Sequence, residues 1–238
     1  MIIEAKGIRK EFIRKGSGTN VFTAVQETDL VLEAGVVTAI RGRSGSGKST
    51  LLNMLAGILE PTAGEVIYTG AAGRPGENIY AMGDEALSQF RNRHIGYIPQ
   101  GTSAISSLTV EENILLPCRM RKAAGKEEEE KARARAQALM EEMAIEHLAG
   151  EKPGKLSGGE LRRMAIARAM VMSPEVLLAD EPTGDLDDEN TTIVFEMLRR
   201  CAQRGACVLI VTHEEDVEKY ADKVYRMNAG VLKEAESM

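Results

Sequence analysis

The stretch Gly42-Arg43-Ser44-Gly45-Ser46-Gly47-Lys48-Ser49 constrains the fold more than any other part of the chain. It lies between a continuous apolar run, Val36-Val37-Thr38-Ala39-Ile40, and a helix-like apolar segment from Lys48 to about Leu59. The spacing therefore predicts a loop that joins a buried strand to a helix. Glycines at 42, 45 and 47 let successive backbone N–H groups curl around an anion, and the helix start adds partial positive charge. Lys48 is then placed to reach the β- and γ-oxygens of a nucleotide and Ser49 to ligate Mg²⁺, with Ser44, Ser46 and Thr50 completing the expected contacts. A glycine-rich turn with a solvated lysine is the plainer reading, and the strand–loop–helix context argues against it.

The rest of the chain supplies partners for such a unit. Val176-Leu177-Leu178-Ala179 and Val208-Leu209-Ile210-Val211 are also continuous apolar runs, as parallel strands covered on both faces should be. Between them, Asn190 to Gln203 places Ile193, Val194, Met197, Leu198 and Cys201 on one helical face. The N-terminal part alternates instead: Ile2 to Ile8, Val21 to Val25 and Asp29 to Glu33 read as antiparallel strands, with a loop from Lys15 to Asn20. Lys126 to Met143 is a charged helix with Glu127/Lys131 and Glu129/Arg133 at i,i+4, and Lys223 to Glu234 is a hairpin turning at Asn228-Ala229-Gly230. The expected organisation is one α/β domain over 1–238. Residues 1–100 and 173–238 form its core with an N-terminal antiparallel β-subdomain, and 101–172 form an inserted helical subdomain.

Val176 to Ala179 runs into Asp180-Glu181, two acids at the carboxyl end of a buried strand, where open α/β sheets bind ligands. Asp180 suits Mg²⁺, and Glu181 suits orienting or deprotonating an attacking water. The third apolar run ends in Thr212-His213, placing an imidazole on the same edge, where it could donate to a γ-phosphate or serve only as a surface residue. Gln100 follows the strand-like Ile95-Gly96-Tyr97-Ile98-Pro99 and could offer its amide oxygen to Mg²⁺ or the water.

Ser157-Gly158-Gly159-Glu160 poses a different question. The S-x-x-E pattern is a capping box that satisfies two N–H groups at a helix start. The box does not need the glycines, each of which costs about 1 kcal/mol in a helix relative to alanine. Bare backbone at a helix N-terminus is a second anion site, and one nucleotide site need not use both. The two surfaces could serve different copies of the chain, Ser157 and Gly159 capping the phosphate held by the partner's loop.

Composition sets the surroundings. Thirty Lys and Arg against 36 Asp and Glu give a formal charge of −6, which argues against broad nucleic-acid binding. Cys118, Cys201 and Cys207 are odd in number and lack metal spacing, as reduced cytosolic thiols would be. No apolar run approaches the roughly 18 residues of a membrane span, and no signal-peptide h-region is visible, so action at a membrane is expected through a partner.

In chain order, the phosphate loop, Gln100, Leu156-Ser157-Gly158-Gly159-Glu160, Asp180-Glu181, Asp185-Leu186-Asp187 and His213 resemble the ATP-binding-cassette (ABC) ATPases over essentially the whole chain. The resemblance implies a P-loop NTPase fold with a RecA-like core, ATP and Mg²⁺ as ligands, and head-to-tail homodimers that sandwich two ATP molecules. Each ATP would lie between one subunit's phosphate loop and the other's Ser157 to Glu160, with Asp187 nearby. Leu178 to Asp187, and Leu108-Thr109-Val110-Glu111-Glu112-Asn113 with Leu116-Pro117, resemble the MacB- and LolD-type branch. Its members power a separate permease from the cytoplasmic face of the cell membrane. An alternative role for the same ATPase is to regulate a transmembrane partner that controls an extracytoplasmic enzyme or sensor. DNA-repair and translation relatives fit this acidic single cassette poorly.

Two departures stand out: Glu160 replaces the commoner Gln, and the adenine-stacking aromatic is Phe12, with Phe22 as a substitute and core packing as the other reading of both. Ile105, Leu108 and Val110 read either as a permease-docking patch or as lobe packing.

Overall fold

Runs of apolar residues without alternation and runs with it require different sheets, and the computed structural model of the chain contains both. It describes residues 1–14, 20–70, 76–101, 103–121, 125–184 and 186–235. The expected loop over 15–19, and Asp185, lie outside the described residues. In chain order the elements are β1 (Ile2–Arg14), β2 (Asn20–Leu32), β3 (Val37–Arg41), α1 (Lys48–Leu55), β4 (Ala63–Thr69), β5 (Glu77–Asn78), α2 (Asp84–His94) and β6 (Ile95–Ile98). They continue with α3 (Val110–Ile114), α4 (Leu116–Arg119), α5 (Lys126–Glu142), α6 (Gly158–Met170), β7 (Val176–Asp180), α7 (Asp188–Gln203), β8 (Cys207–Thr212), β9 (Lys223–Asn228) and β10 (Val231–Glu234).

The larger sheet has the order β10-β9-β3-β8-β7-β6. From β9 to β6 its neighbours are parallel, and β10 is an antiparallel edge made by the C-terminal hairpin. Every residue of β7 and β8 is buried. Their side chains alternate between two cores. Leu177, Ala179, Val208 and Ile210 face the cluster built with α5, α6 and α7, whereas Val176, Leu178, Leu209 and Val211 face α1 and the second sheet. Full burial of each valine, leucine or isoleucine among them contributes about 1.5–3 kcal/mol before the loss of chain entropy. The second sheet, β2-β1-β4-β5, is antiparallel and covers α1 with its inner face; Leu30 and Leu32 are buried while Val31 is exposed.

Three details differ from expectation. Val21–Val25 and Asp29–Leu32 are one strand, β2, because β1 pairs with it from Ile3↔Leu32 to Arg14↔Asn20 across register shifts. Helix α1 stops at Leu55, since Gly57 takes φ +67°, a left-handed conformation that ends a helix. On α7 the buried face includes Phe195 and Ala202 besides the expected Val194, Met197 and Leu198, while Ile193 and Cys201 pack half-buried against the same core; the Phe195 ring lies 5.2 Å from that of Tyr220.

Candidate functional site

Strand β3 delivers the loop 42–47 directly onto α1, and the surrounding backbone leaves no room for side chains at two of its glycines. A Cβ on Gly42 would overlap the Met227 carbonyl, and one on Gly47 the Ala24 carbonyl; Gly47 also holds φ +107°. No side chain among the described residues caps α1, so its first-turn N–H groups stay available to an anion. Lys48 is 5% exposed, and its Nζ donates to the carbonyls of Gly42 at 2.7 Å and Arg43 at 3.2 Å. Residues 44–50 line a cleft of about 320 Å³ together with Phe12, Phe22, Gln100 and Glu181.

Glu181 follows β7 and closes the far side of this cleft. Its backbone is left-handed, φ +47°, and its N–H donates to the Val211 carbonyl at 2.8 Å. Carboxylate Oε2 accepts from Thr212 Oγ1 at 3.0 Å and from the His213 N–H at 3.3 Å, and lies 2.9 Å from His213 Nδ1. Oε1 is 3.6 Å from Lys48 Nζ. Asp180 is 3% exposed, and its Oδ1 has no hydrogen-bond partner among the described residues. Burial pushes its carboxyl above the usual range, while a hydrogen bond from the Ser49 hydroxyl pulls it down.

Phe12 and Phe22 are cross-strand neighbours on β1 and β2, and both remain about 40% exposed toward the cleft. Core packing is therefore not the role of either. Lys10 Nζ sits 5.5 Å from the Phe12 ring centroid, a cation–π contact that steadies the ring.

Ser157 to Glu160 and Asp187 do not line this cleft. The capping box at α6 is complete: Ser157 Oγ accepts from the Glu160 N–H at 3.3 Å, and Glu160 Oε2 accepts from the Ser157 N–H at 2.7 Å and from its hydroxyl at 2.8 Å. The Ser157 N–H holds the Glu160 carboxyl below its usual range. A Cβ on Gly158 would meet nothing within 4 Å, and one on Gly159 would reach only Leu186 at 3.5 Å and Arg163 at 3.6 Å. Packing within the chain requires neither glycine. Asp187 caps α7, its Oδ1 accepting from the Asn190 N–H at 2.8 Å and from Asn190 Nδ2 at 2.7 Å.

Of the expected surface patch, Val110 is fully buried in the core, which rules it out as a docking residue. Ile105 is 40% exposed and Leu108 half-buried, on a loop whose carbonyls at both residues accept from Asn113 Nδ2. One residue escaped the sequence reading altogether. Arg162 is 3% exposed and bonds to five backbone carbonyls around Gln100 and Glu181. The available signal was its position: it shares the buried stripe of α6 with Ile166 and Met170, where an arginine is out of place unless paired.

The sequence profile of the family described as ABC transporter matches residues 25–184. The chain belongs to that family. It is an ABC-type ATPase with an α/β cassette fold. It is similar to the lipoprotein-releasing system ATP-binding protein LolD of Chromohalobacter salexigens, with 38% identity covering 91% of this chain and 88% of that one. It is equally similar, at 38% identity, to the macrolide export ATP-binding/permease protein MacB of Neisseria meningitidis, where 97% of this chain matches 34% of the relative. These likenesses place the ABC cassette in the LolD/MacB-type branch. Among solved structures it superposes on the dimeric cassette MJ0796 with a TM-score of 0.85 at 30% identity, covering 99% of this chain and 100% of that one. The same cassette bound to ADP and Pi in a dimeric post-hydrolysis state gives 0.84, again at 30% identity with 99% and 100% covered.

Proposed function

We propose that this chain is the nucleotide-binding subunit of a membrane assembly, in which two copies close head-to-tail over two ATP molecules and so drive a separate permease. The observation that carries the reading is the Glu181 carboxylate, anchored by Thr212 and His213 and 3.6 Å from Lys48, facing a phosphate loop. The bare α6 terminus supports the dimer, because its glycines answer no need within one chain.

Lys48 would exchange its carbonyl contacts for phosphate oxygens, assisted by the amides of 44–49. Glu181, held by two donors before substrate arrives, orients the attacking water without further reorganisation. With Nδ1 turned to Glu181, His213 presents Nε2 outward, toward a γ-phosphate oxygen. Phe12 stacks on adenine, with Phe22 beside it. Ser49, Asp180 and Gln100 offer oxygen donors suited to Mg²⁺, and the unpartnered buried Oδ1 of Asp180 fits a hard cation. When bound, Mg²⁺ neutralises charge on the β- and γ-phosphates. Asp187 joins the dimer interface as the cap that fixes the start of α7. No helix among the described residues is long and apolar enough to cross a membrane. The reading places the subunit at the cytoplasmic face, held there by the permease, with Ile105 and Leu108 offered to it. Closure would do mechanical work on the permease, and one relative of this chain is named for lipoprotein release.

The variant Glu181→Gln tests the reading. It should bind ATP, lose turnover by about 10²–10³-fold, and run as a dimer in ATP. Isolated from solubilised membranes in that trapped state, it should bring a permease with it. Normal turnover would remove Glu181 from the chemistry.

A further inference from the structure

Arg162 uses all five of its guanidinium N–H groups on main-chain carbonyls. Nε donates to Pro182 at 2.8 Å; one terminal nitrogen donates to Pro99 at 2.6 Å and Gly101 at 2.9 Å; the other donates to Asp180 at 2.9 Å and to Glu181. The acceptors form two groups, the residues on either side of Gln100 and three consecutive residues centred on Glu181. One side chain therefore spans the two nucleotide-facing loops, and it comes from the helix whose free end carries Ser157 to Glu160. Arg168 on the same helix extends the tie, donating to the Ser103 carbonyl at 2.7 Å and hydroxyl at 2.5 Å.

Glu181 needs such a hold. Its φ of +47° is a conformation that residues with a side chain rarely adopt, and it persists only where surrounding contacts over-determine it. Its carbonyl accepts from Arg162 and from the Gly184 N–H at 3.2 Å, which fixes the peptide that aims the carboxylate.

We propose that Arg162 is a positioning residue that locks Glu181 and the Gln100 turn to α6, so that docking of the α6 terminus on the partner's ATP and placement of Glu181 at its own ATP become one motion. The inference rests on the assignment of Glu181 made above. Because all five acceptors are neutral carbonyls at fixed places, the planar fork matters and the charge alone does not; a lysine has three donors on one nitrogen and cannot span them.

Steady-state ATPase assays on the purified dimer test this, with melting temperature measured alongside. Arg162→Gln and Arg162→Lys should lower kcat on the order of a hundredfold, as misplacement of a reacting group does. KM for ATP should stay within about twofold of wild type, because the phosphate loop is untouched. The Hill coefficient for ATP should fall toward one. Wild-type kcat per folded dimer in Arg162→Lys overturns the proposal, whatever the melting temperature, and that variant alone is decisive if Arg162→Gln does not fold. Glu181→Gln run in parallel separates the two claims. Normal turnover there overturns the catalytic assignment, whereas slow turnover there with normal turnover in Arg162→Lys overturns only the role of Arg162. Hydrogen exchange on the wild-type dimer needs no variant. ATP should slow exchange at Gly101, Glu160 and Gly184 together, and protection of one segment without the others overturns the coupling.

Discussion

Glu160 and Asp180 are both carboxylates beside expected phosphate sites, yet their surroundings push them in opposite directions. Glu160 is held low by the Ser157 N–H, so its charged form is favoured by folding. Its stabilising share is present above the unfolded-state pKa and fades as pH falls through the lower folded-state value. Glutamine also completes a capping box, so Glu160→Gln should fold normally and flatten that acid limb of stability. With the carboxylate gone from the partner's γ-phosphate, its ATPase turnover should be retained or raised; a loss above tenfold would show that the acid itself contributes. Asp180 is the reverse case, pushed up chiefly by burial, so its stabilising share is present below the unfolded-state pKa and lost as pH rises through the folded-state value. Charging this buried carboxyl therefore opposes folding, and a bound cation would offset that cost. Asp180→Asn should raise the stability of the nucleotide-free chain by about 0.5–2 kcal/mol, read as a higher melting temperature, while abolishing Mg²⁺-dependent ATPase.

The elements that sequence made legible are those whose reasons are local. The phosphate loop needs glycines at fixed offsets, β7 and β8 need unbroken apolar runs, and the α6 cap needs Ser157 and Glu160 three apart. Where tertiary pairing decides, sequence was silent. β2 runs through Gln26 to Thr28, which interrupt its alternation, because β1 supplies partners on both sides of the break. The place of Arg162 on the apolar stripe of α6 marks it as needing partners, but which ones was not legible, since its acceptors at Pro99 and Gly101 lie 63 and 61 residues away in the chain. The α6 glycines were legible as a question that only the space around them answers. As a Cβ at Gly158 meets nothing and valine is no poorer a helix former than glycine, Gly158→Val should leave the single chain's fold intact. It should nevertheless abolish ATP-driven dimerisation by light scattering. Normal dimerisation in this variant would return the glycines to the status of an unexplained local choice.

At the scale of the whole molecule, the head-to-tail arrangement proposed above gives one chain half of each of two sites, and this makes a claim about subunits that no single variant tests. Lys48→Ala destroys the phosphate-loop half and Gly158→Val the capping half, so either homodimer has two broken sites. In a mixed dimer one site joins the intact loop of the Gly158→Val chain to the intact α6 terminus of the Lys48→Ala chain, and the other site combines both defects. Mixing two inactive proteins should therefore restore activity. Because neither variant closes over ATP with itself, the closed dimers are the mixed ones, each with one of two sites whole, so turnover should recover to at most about half of wild type if the sites fire independently and to less if they must fire together. If instead each chain closed its own α6 terminus over its own loop, every site in the mixture would carry one defect and nothing would be restored. Rapid mixing of the two purified variants in an ATPase assay distinguishes these arrangements.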